Sequence, residues 1–174
     1  MALPICGYPE TGTLGRGTVK PGRRLGVDVG SVRIGVARSD RDGLLASPLV
    51  TVRRGTGDLA EIARLAAEHE VIEIIVGLPT GLSGRDGVAA RQAREFAAEL
   101  APLVRPVQVR LADERFTTVI AHDALRAGGR DARKRRSVVD QAAAALLLQS
   151  ALDSERSSGI PAGEVVGPVG DGGQ

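Results

Sequence analysis

Three short strand-like runs, Arg24 to Val29, Val32 to Ser39 and Leu44 to Val52, stand together before the chain shows any helical spacing. Asp42-Gly43 supplies the turn between the second and third, so an antiparallel meander is expected. After it the pattern alternates. Leu59, Ile62, Ala63 and Ala66 recur at helical spacing within 58–70, and Val71 to Val76 is a continuous apolar strand. Ala89, Ala93, Phe96, Leu100 and Leu103 then share a helical face closed by Pro106, before the strand Val107 to Ala112. Helices over 118–127 and 137–153 complete the order. Strands that alternate with helices are joined by right-handed crossovers and lie parallel. The expected fold is therefore α/β, a mixed five-stranded sheet in which the three-strand meander is followed by two parallel strands, with helices flanking it.

A chain of 174 residues, 43% hydrophobic and 25% charged, is sized for one domain. Residues 1–23 and 154–174 are rich in Gly, Pro or Ser without periodicity and read as disordered tails, leaving 24–153 as the folded domain. With no Trp, one Tyr, two Phe and one Met, the core must be built from Ala, Val, Leu and Ile. The same scarcity excludes aromatic platforms for base stacking, so any nucleic acid would be held by charge and metal. The net charge of +2 argues little, but Lys20 and Lys134 are the only lysines. Guanidinium forks suit phosphate, although an Arg-, Ala- and Gly-rich chain is also what a GC-rich genome produces. Cys6 stands alone, so an internal disulfide is excluded, a cytoplasmic protein is expected, and only an intermolecular bridge is left open to it. The longest apolar run, Ala142 to Leu148, is far short of the roughly 18 residues that span a bilayer, so no membrane partner is expected.

Three places carry chemistry. In Leu25-Gly-Val-Asp28-Val-Gly30, strand alternation puts Asp28 on the face of Gly26 and Gly30, opposite Leu25, Val27 and Val29. The glycines leave a gap that would admit a metal or phosphate, unless Asp28 merely closes a turn. In Ala112-Asp113-Glu114-Arg115-Phe116-Thr117-Thr118 two acids and an arginine sit between a strand end and a helix start, where ligands gather in open α/β sheets. Alternation gives Glu114 the face of Arg110 and Ala112 and gives Asp113 the apolar face of Val109 and Leu111. Either could be a ligand, or both could be first-turn charges. In Ser137-Val-Val-Asp140, a capping box is one reading. The other is that Asp140, on the face of Ala144, Leu147, Leu148 and Ala151, points inward and needs a cation.

Separate acids converging on one place repel unless hard divalent cations sit among them, and oxygen ligands select Mg²⁺ or Mn²⁺. Two such ions would serve phosphodiester hydrolysis. Arg126, Arg130, Arg133, Lys134, Arg135 and Arg136 form a basic connection just before Asp140, read as a flexible phosphate-holding loop or else a solvated charge run. Arg33 and Arg115 could contact phosphate or pair with a carboxylate. His69 and His122 are placed at a helix end and on an exposed helix face, without a catalytic role. The loop Val76 to Gly87 lacks the ending of a Walker A motif, so it does not read as a nucleotide site.

LGVDVGSVRIGVARSD (25–40), IVGLP with Gly84, LADERFTT (111–118) and VVDQAAAALLLQSAL (138–152) together resemble the YqgF family, also called RuvX, of the RNase H-like superfamily. The resemblance covers 24–153. It implies an RNase H-like fold, a metal-holding carboxylate triad at Asp28, Glu114 and Asp140, and matching basic positions at Arg33 and Arg115. It also favours Glu114 over Asp113. Phe116 stands where the family usually has Leu. The implied activity is a metal-dependent endonuclease maturing the 5′ end of 16S rRNA precursors, with precursor rRNA, and by extension ribosomal particles, as partners. Two alternatives are a resolvase of four-way DNA junctions, which needs a symmetric dimer, and a non-catalytic RNA-binding assembly factor, against which the inward acids argue. A sugar kinase or actin-like ATPase needs two such domains and is excluded by length. With no apolar stripe left over for an interface, a monomer or weak homodimer is expected.

Overall fold

The computed structural model describes residues 19–80, 84–113 and 132–167. Their elements run β1 (Arg24–Val29), β2 (Arg33–Ser39), β3 (Ala46–Arg53), α1 (Asp58–Glu68), β4 (Glu73–Leu78), α2 (Gly84–Leu103), β5 (Gln108–Asp113), α3 (Ala132–Ser158) and β6 (Glu164–Val165). The helix expected over 118–127 lies outside the described residues.

The strands form one mixed sheet in the order β3-β2-β1-β4-β5-β6. β1, β2 and β3 pair antiparallel as the expected meander, and β4 and β5 are added in parallel to β1. The RNase H-like α/β expectation holds, with a correction at its edge. A sixth strand pairs antiparallel with β5, and α3 runs through Ser158, so 154–167 is not wholly a tail. A two-residue strand offers no run of pattern to read. What seats it is Gly163, whose φ of 82° and close approach suit glycine, since an added Cβ would lie 2.3 Å from the Leu111 carbonyl oxygen. Val166 N–H then donates to the Val109 carbonyl at 2.8 Å, covering part of the β5 edge.

Strand alternation sorts the sheet into two faces. Leu25, Val27, Ile34, Val36, Val52, Ile74, Val76 and Val109 pack on one side against Ile62 and Leu65 of α1 and Phe96 and Leu100 of α2. Ala37, Ile75 and Ala112 pack on the other against Ala144, Leu147, Leu148, Ala151 and Leu152 of α3. The α3 face is lined by small residues, and that lets the helix lie almost on the backbone. A Cβ on Gly26 would stand 2.7 Å from Leu148 Cβ and 2.8 Å from the Ala144 carbonyl oxygen.

A second correction concerns the basic stretch before Asp140. Lys134, Arg135 and Arg136 belong to α3 and not to a loop. A run of charged residues shows no apolar period, yet Lys and Arg are good helix formers and extend the helix into solvent. Arg126, Arg130 and the side chain of Arg133 lie outside the described residues.

At the other end of α3 the sheet holds a buried ion network that the sequence pattern did not show. Arg24, 2% exposed, donates from Nε to Glu73 at 3.1 Å and from Nη2 to Glu155 of α3 at 3.3 Å. Glu73 also accepts from Arg110 Nε at 2.5 Å. The carbonyls of Lys20 and Gly22 take further Arg24 N–H groups. Two arginines and two glutamates therefore neutralise one another at the starts of β1, β4 and β5. No helix among the described residues is long and apolar enough to cross a membrane.

Candidate active site

β1, β4 and β5 run parallel, so their C-terminal ends share one edge of the sheet. Asp28 stands there. Its Cα partner across the β1–β2 ladder is Gly35. A Cβ on Gly35 would fall 1.9 Å from the carbonyl oxygen of Asp140 and 3.2 Å from its Cα. The first inward turns of α3 thus rest on the residue beside Asp28. Gly26, two positions back on the same face, lies under Ala144, one helical turn after Asp140. Asp28 and Asp140 are therefore neighbours on the α3 face, Asp28 from the strand and Asp140 from the helix above it.

The residues flanking Asp28 are small for a different reason than open space. Gly26 is covered by α3, and a Cβ on Gly30 would meet the Arg33 carbonyl oxygen at 2.5 Å. Gly30 N–H donates to that same carbonyl at 2.9 Å, closing the β1–β2 turn. The glycines thus leave no gap of their own; they let the helix and the turn close around the carboxylate. On the β4 side Gly77 follows Val76, the partner of Val27, and pairs with Ala112 of β5. Asp28 is the large polar side chain in a row of Gly35, Gly77 and Ala112.

Asp140 accepts a hydrogen bond from Arg33 Nε at 2.8 Å, and both side chains are about a third exposed, at 27% and 31%. Arg33 is therefore in the site as a partner of an acid. Its face is set by β2 alternation, because Ile34 and Val36 enter the opposite core. Asp113 follows Val109 and Leu111 on that opposite face, as alternation indicates, and accepts from Thr80 Oγ1 at 2.5 Å. Ala112, one residue earlier, packs on the α3 face. Glu114 and Arg115 lie outside the described residues. His69 caps α1, where Arg38 Nη1 donates to its Nδ1 at 3.0 Å, and His122 lies outside the described residues.

Among the described residues no group of three acids, histidines or cysteines gathers as a metal site. Asp28 and Asp140, on neighbouring positions of the α3 face, offer carboxylate oxygens, and the Asp140 side chain is part-exposed. That chemistry fits a hard divalent cation and gives no thiolate or imidazole to a softer one.

The sheet order, with a long helix laid across one face, defines the RNase H-like class. The chain is similar in fold to Thermus thermophilus RuvC solved in complex with a Holliday junction substrate, at a TM-score of 0.53 and 12% identity over 81% of this chain and 99% of that chain. A family model described as "RuvX: Holliday junction resolvase" matches residues 22–154. Among curated relatives, a Nocardioides sp. (strain JS614) protein is 58% identical over 153 residues, 85% of this chain and 98% of the relative. A Thermobifida fusca protein is 56% identical over 155 residues, with coverage of 85% and 98%; both relatives carry the name "Putative pre-16S rRNA nuclease". The chain belongs to the RuvX family. That family is one of nucleases, and the chain is an enzyme of that class.

Proposed function

We propose that the chain is a divalent-metal-dependent endonuclease acting in the cytoplasm on precursor 16S rRNA, with Asp28, Glu114 and Asp140 as its carboxylates. The observation that carries the reading is the seating of Asp140 on Gly35, the cross-strand partner of Asp28. Two acids on neighbouring positions at a part-exposed end of the sheet suit a hard divalent cation, which offsets their repulsion. Glu114 is included because the family resemblance assigns it, two residues after Ala112, which packs on the α3 face. The relatives' name supplies the substrate class.

In this reading Asp28, Glu114 and Asp140 would hold Mg²⁺ or Mn²⁺, as two ions. What such ions supply when bound is an activated water and charge stabilisation of the leaving oxygen. The chain's own residues orient and neutralise. Asp28 is held rigidly by its strand, Asp140 by the helix packed on Gly35, and Arg33 fixes the Asp140 carboxylate while placing a positive charge beside the reacting phosphate. Lys134 and Arg136, exposed on α3 ahead of Asp140, and Arg115, Arg126, Arg130, Arg133 and Arg135 would contact phosphates.

A second reading, resolution of four-way DNA junctions, is favoured by the description of the family model. The test is a side-by-side assay of purified protein with Mg²⁺ or Mn²⁺ on a precursor rRNA fragment and on a four-way junction. Cleavage of the RNA, first order in protein and lost in Asp28→Asn, is the expected result. Paired symmetric nicks on the junction, faster than RNA cleavage and second order in protein, would promote the second reading.

A further inference from the structure

On the outer side of the acid pair, toward the free edge of the meander, a groove of about 380 Å³ is lined by Val32, Arg33, Thr51, Arg53 and Ser137. Arg33 and Arg53 are direct cross-strand partners in the β2–β3 ladder. Their face is the α3 face, because Val52, between Thr51 and Arg53, is buried in the opposite core and Thr51 bonds to α3. Like charges set opposite each other on neighbouring strands destabilise the pairing. Arg33 is compensated by Asp140. Arg53 is exposed and has no ion pair among the described residues.

The groove is rigid where it needs to be. Thr51 Oγ1 donates to the Ser137 carbonyl at 2.9 Å and accepts from Ser137 Oγ at 3.0 Å and from Gln141 Nε2 at 3.2 Å. These bonds tie the edge strand to α3, so binding a ligand there requires little ordering beyond the arginine side chain. Val32, 61% exposed at the β1–β2 turn, adds an apolar rim that a sugar could rest on. Asp28, Arg33 and Arg53 sit on three successive strands. At about 4.8 Å per strand, Arg53 stands about 10 Å from the acid-bearing strand, and the length of its side chain can close that gap to the separation of successive phosphates of one strand.

We propose that this groove carries the phosphodiester backbone of the substrate strand beside the phosphate that is cut, and that Arg53 binds a neighbouring phosphate. The inference rests on the endonuclease reading above and adds to it a direction, from the acids outward across β2 to β3. The contact reads charge and not bases, so it is independent of sequence.

Binding is measured by anisotropy of the full chain in an Asp28→Asn background, with a labelled single-stranded RNA and its DNA counterpart; cleavage is measured with the acids intact. Arg53→Ala is expected to weaken binding roughly fivefold to tenfold and to lower the slope of log affinity against log salt by about 0.7. Arg53→Lys should keep most of the affinity. Arg64→Ala, on α1 and paired with Glu61 and Glu68, should change neither. In cleavage, KM rises while kcat stays within about twofold. Unchanged affinity and slope in Arg53→Ala would overturn the groove while leaving the nuclease reading to stand on the Asp28→Asn assay. A fall in kcat with KM unchanged would also overturn it, as would a loss confined to RNA or to DNA. A chain that neither binds nor cuts either polymer would overturn both readings.

Discussion

At the C-terminal end of α3, Glu155 meets Arg24 with side chains 8% and 2% exposed, whereas at its N-terminal end Asp140 meets Arg33 with side chains 27% and 31% exposed. The two acids are about 22 Å apart along one helix axis. Both ends are bolted to the sheet by an arginine, but their burial differs. Around Arg24 the charges cancel, Glu73 is shared with Arg110, and backbone carbonyls take two more of the guanidinium protons. Around Asp140 the pair with Arg33 is part-exposed, and Asp28 stands on the neighbouring strand. A buried network must be complete when the chain folds, since nothing arrives later to finish it. A part-exposed pair stays accessible to ions and ligands from solvent. Burial therefore separates the two ends of α3, although the residue types are the same.

The comparison breaks most visibly at the buried end. Arg24→Met keeps the aliphatic stem but strands Glu155 without its partner, and removing one member of a buried pair costs about 3–5 kcal/mol. The melting temperature should fall by about 10 °C on the scale for a domain of this size. Cleavage by the molecules that remain folded should not change. A loss of cleavage without a loss of stability would show that the network communicates with the acids along α3.

At the open end the effects exchange places. Asp28→Asn or Asp140→Asn should lower cleavage at least about a hundredfold, more than loss of an outer-shell partner usually costs a metal site. Stability should move by no more than about 1 kcal/mol, since the Asp140–Arg33 pair is part-exposed to solvent. Thermal melts and single-turnover cleavage on the same preparations check both halves.

How much of this was legible depended on periodicity. The face of Asp28 followed from Leu25, Val27 and Val29 alternating with Gly26 and Gly30, and the inward face of Asp140 from Ala144, Leu147, Leu148 and Ala151, which are buried on the sheet. What the pattern could not show was why the glycines are there. Gly35 serves to admit the backbone of a helix more than a hundred residues away, and only the packed structure pairs those positions. Arg24 read as the first residue of a strand, because a buried charge is recognisable only when its partners, here Glu73 and Glu155, are brought to it. The start of α3 was hidden by a run of charge, and β6 by its length of two residues.

β6 gives a sharper and smaller test of the buried end. Arg110, which shares Glu73 with Arg24, also donates from Nη1 to the Gly163 carbonyl at 3.2 Å. Gly163→Ala puts a Cβ against the Leu111 carbonyl in a left-handed backbone, so β6 must lift from the edge. The cost is capped by what the short strand contributes, about 1–2 kcal/mol, because detaching it relieves the clash. A loss as large as that of Arg24→Met would mean that the network depends on β6 to hold Arg110.

The smallest effect concerns Asp58, an acid of a third kind, held mainly by backbone. Burial pushes its carboxyl up, but the N–H groups of Gly55 and Leu59 and the guanidinium of Arg54 donate to it and together hold it below the usual carboxylate value. A folded-state value below the unfolded one means that the unfolded chain binds the proton more readily. The stabilisation is therefore fully present above the unfolded value, about pH 4, and is lost as pH falls through the depressed folded value. Asp58→Asn should lower stability at neutral pH and flatten the acid limb of the stability curve below about pH 4, with cleavage at neutral pH unchanged. Denaturant melts from pH 3 to 7 on both proteins decide it. Parallel curves would show that Asp58 is not a group whose protonation separates the folded from the unfolded chain.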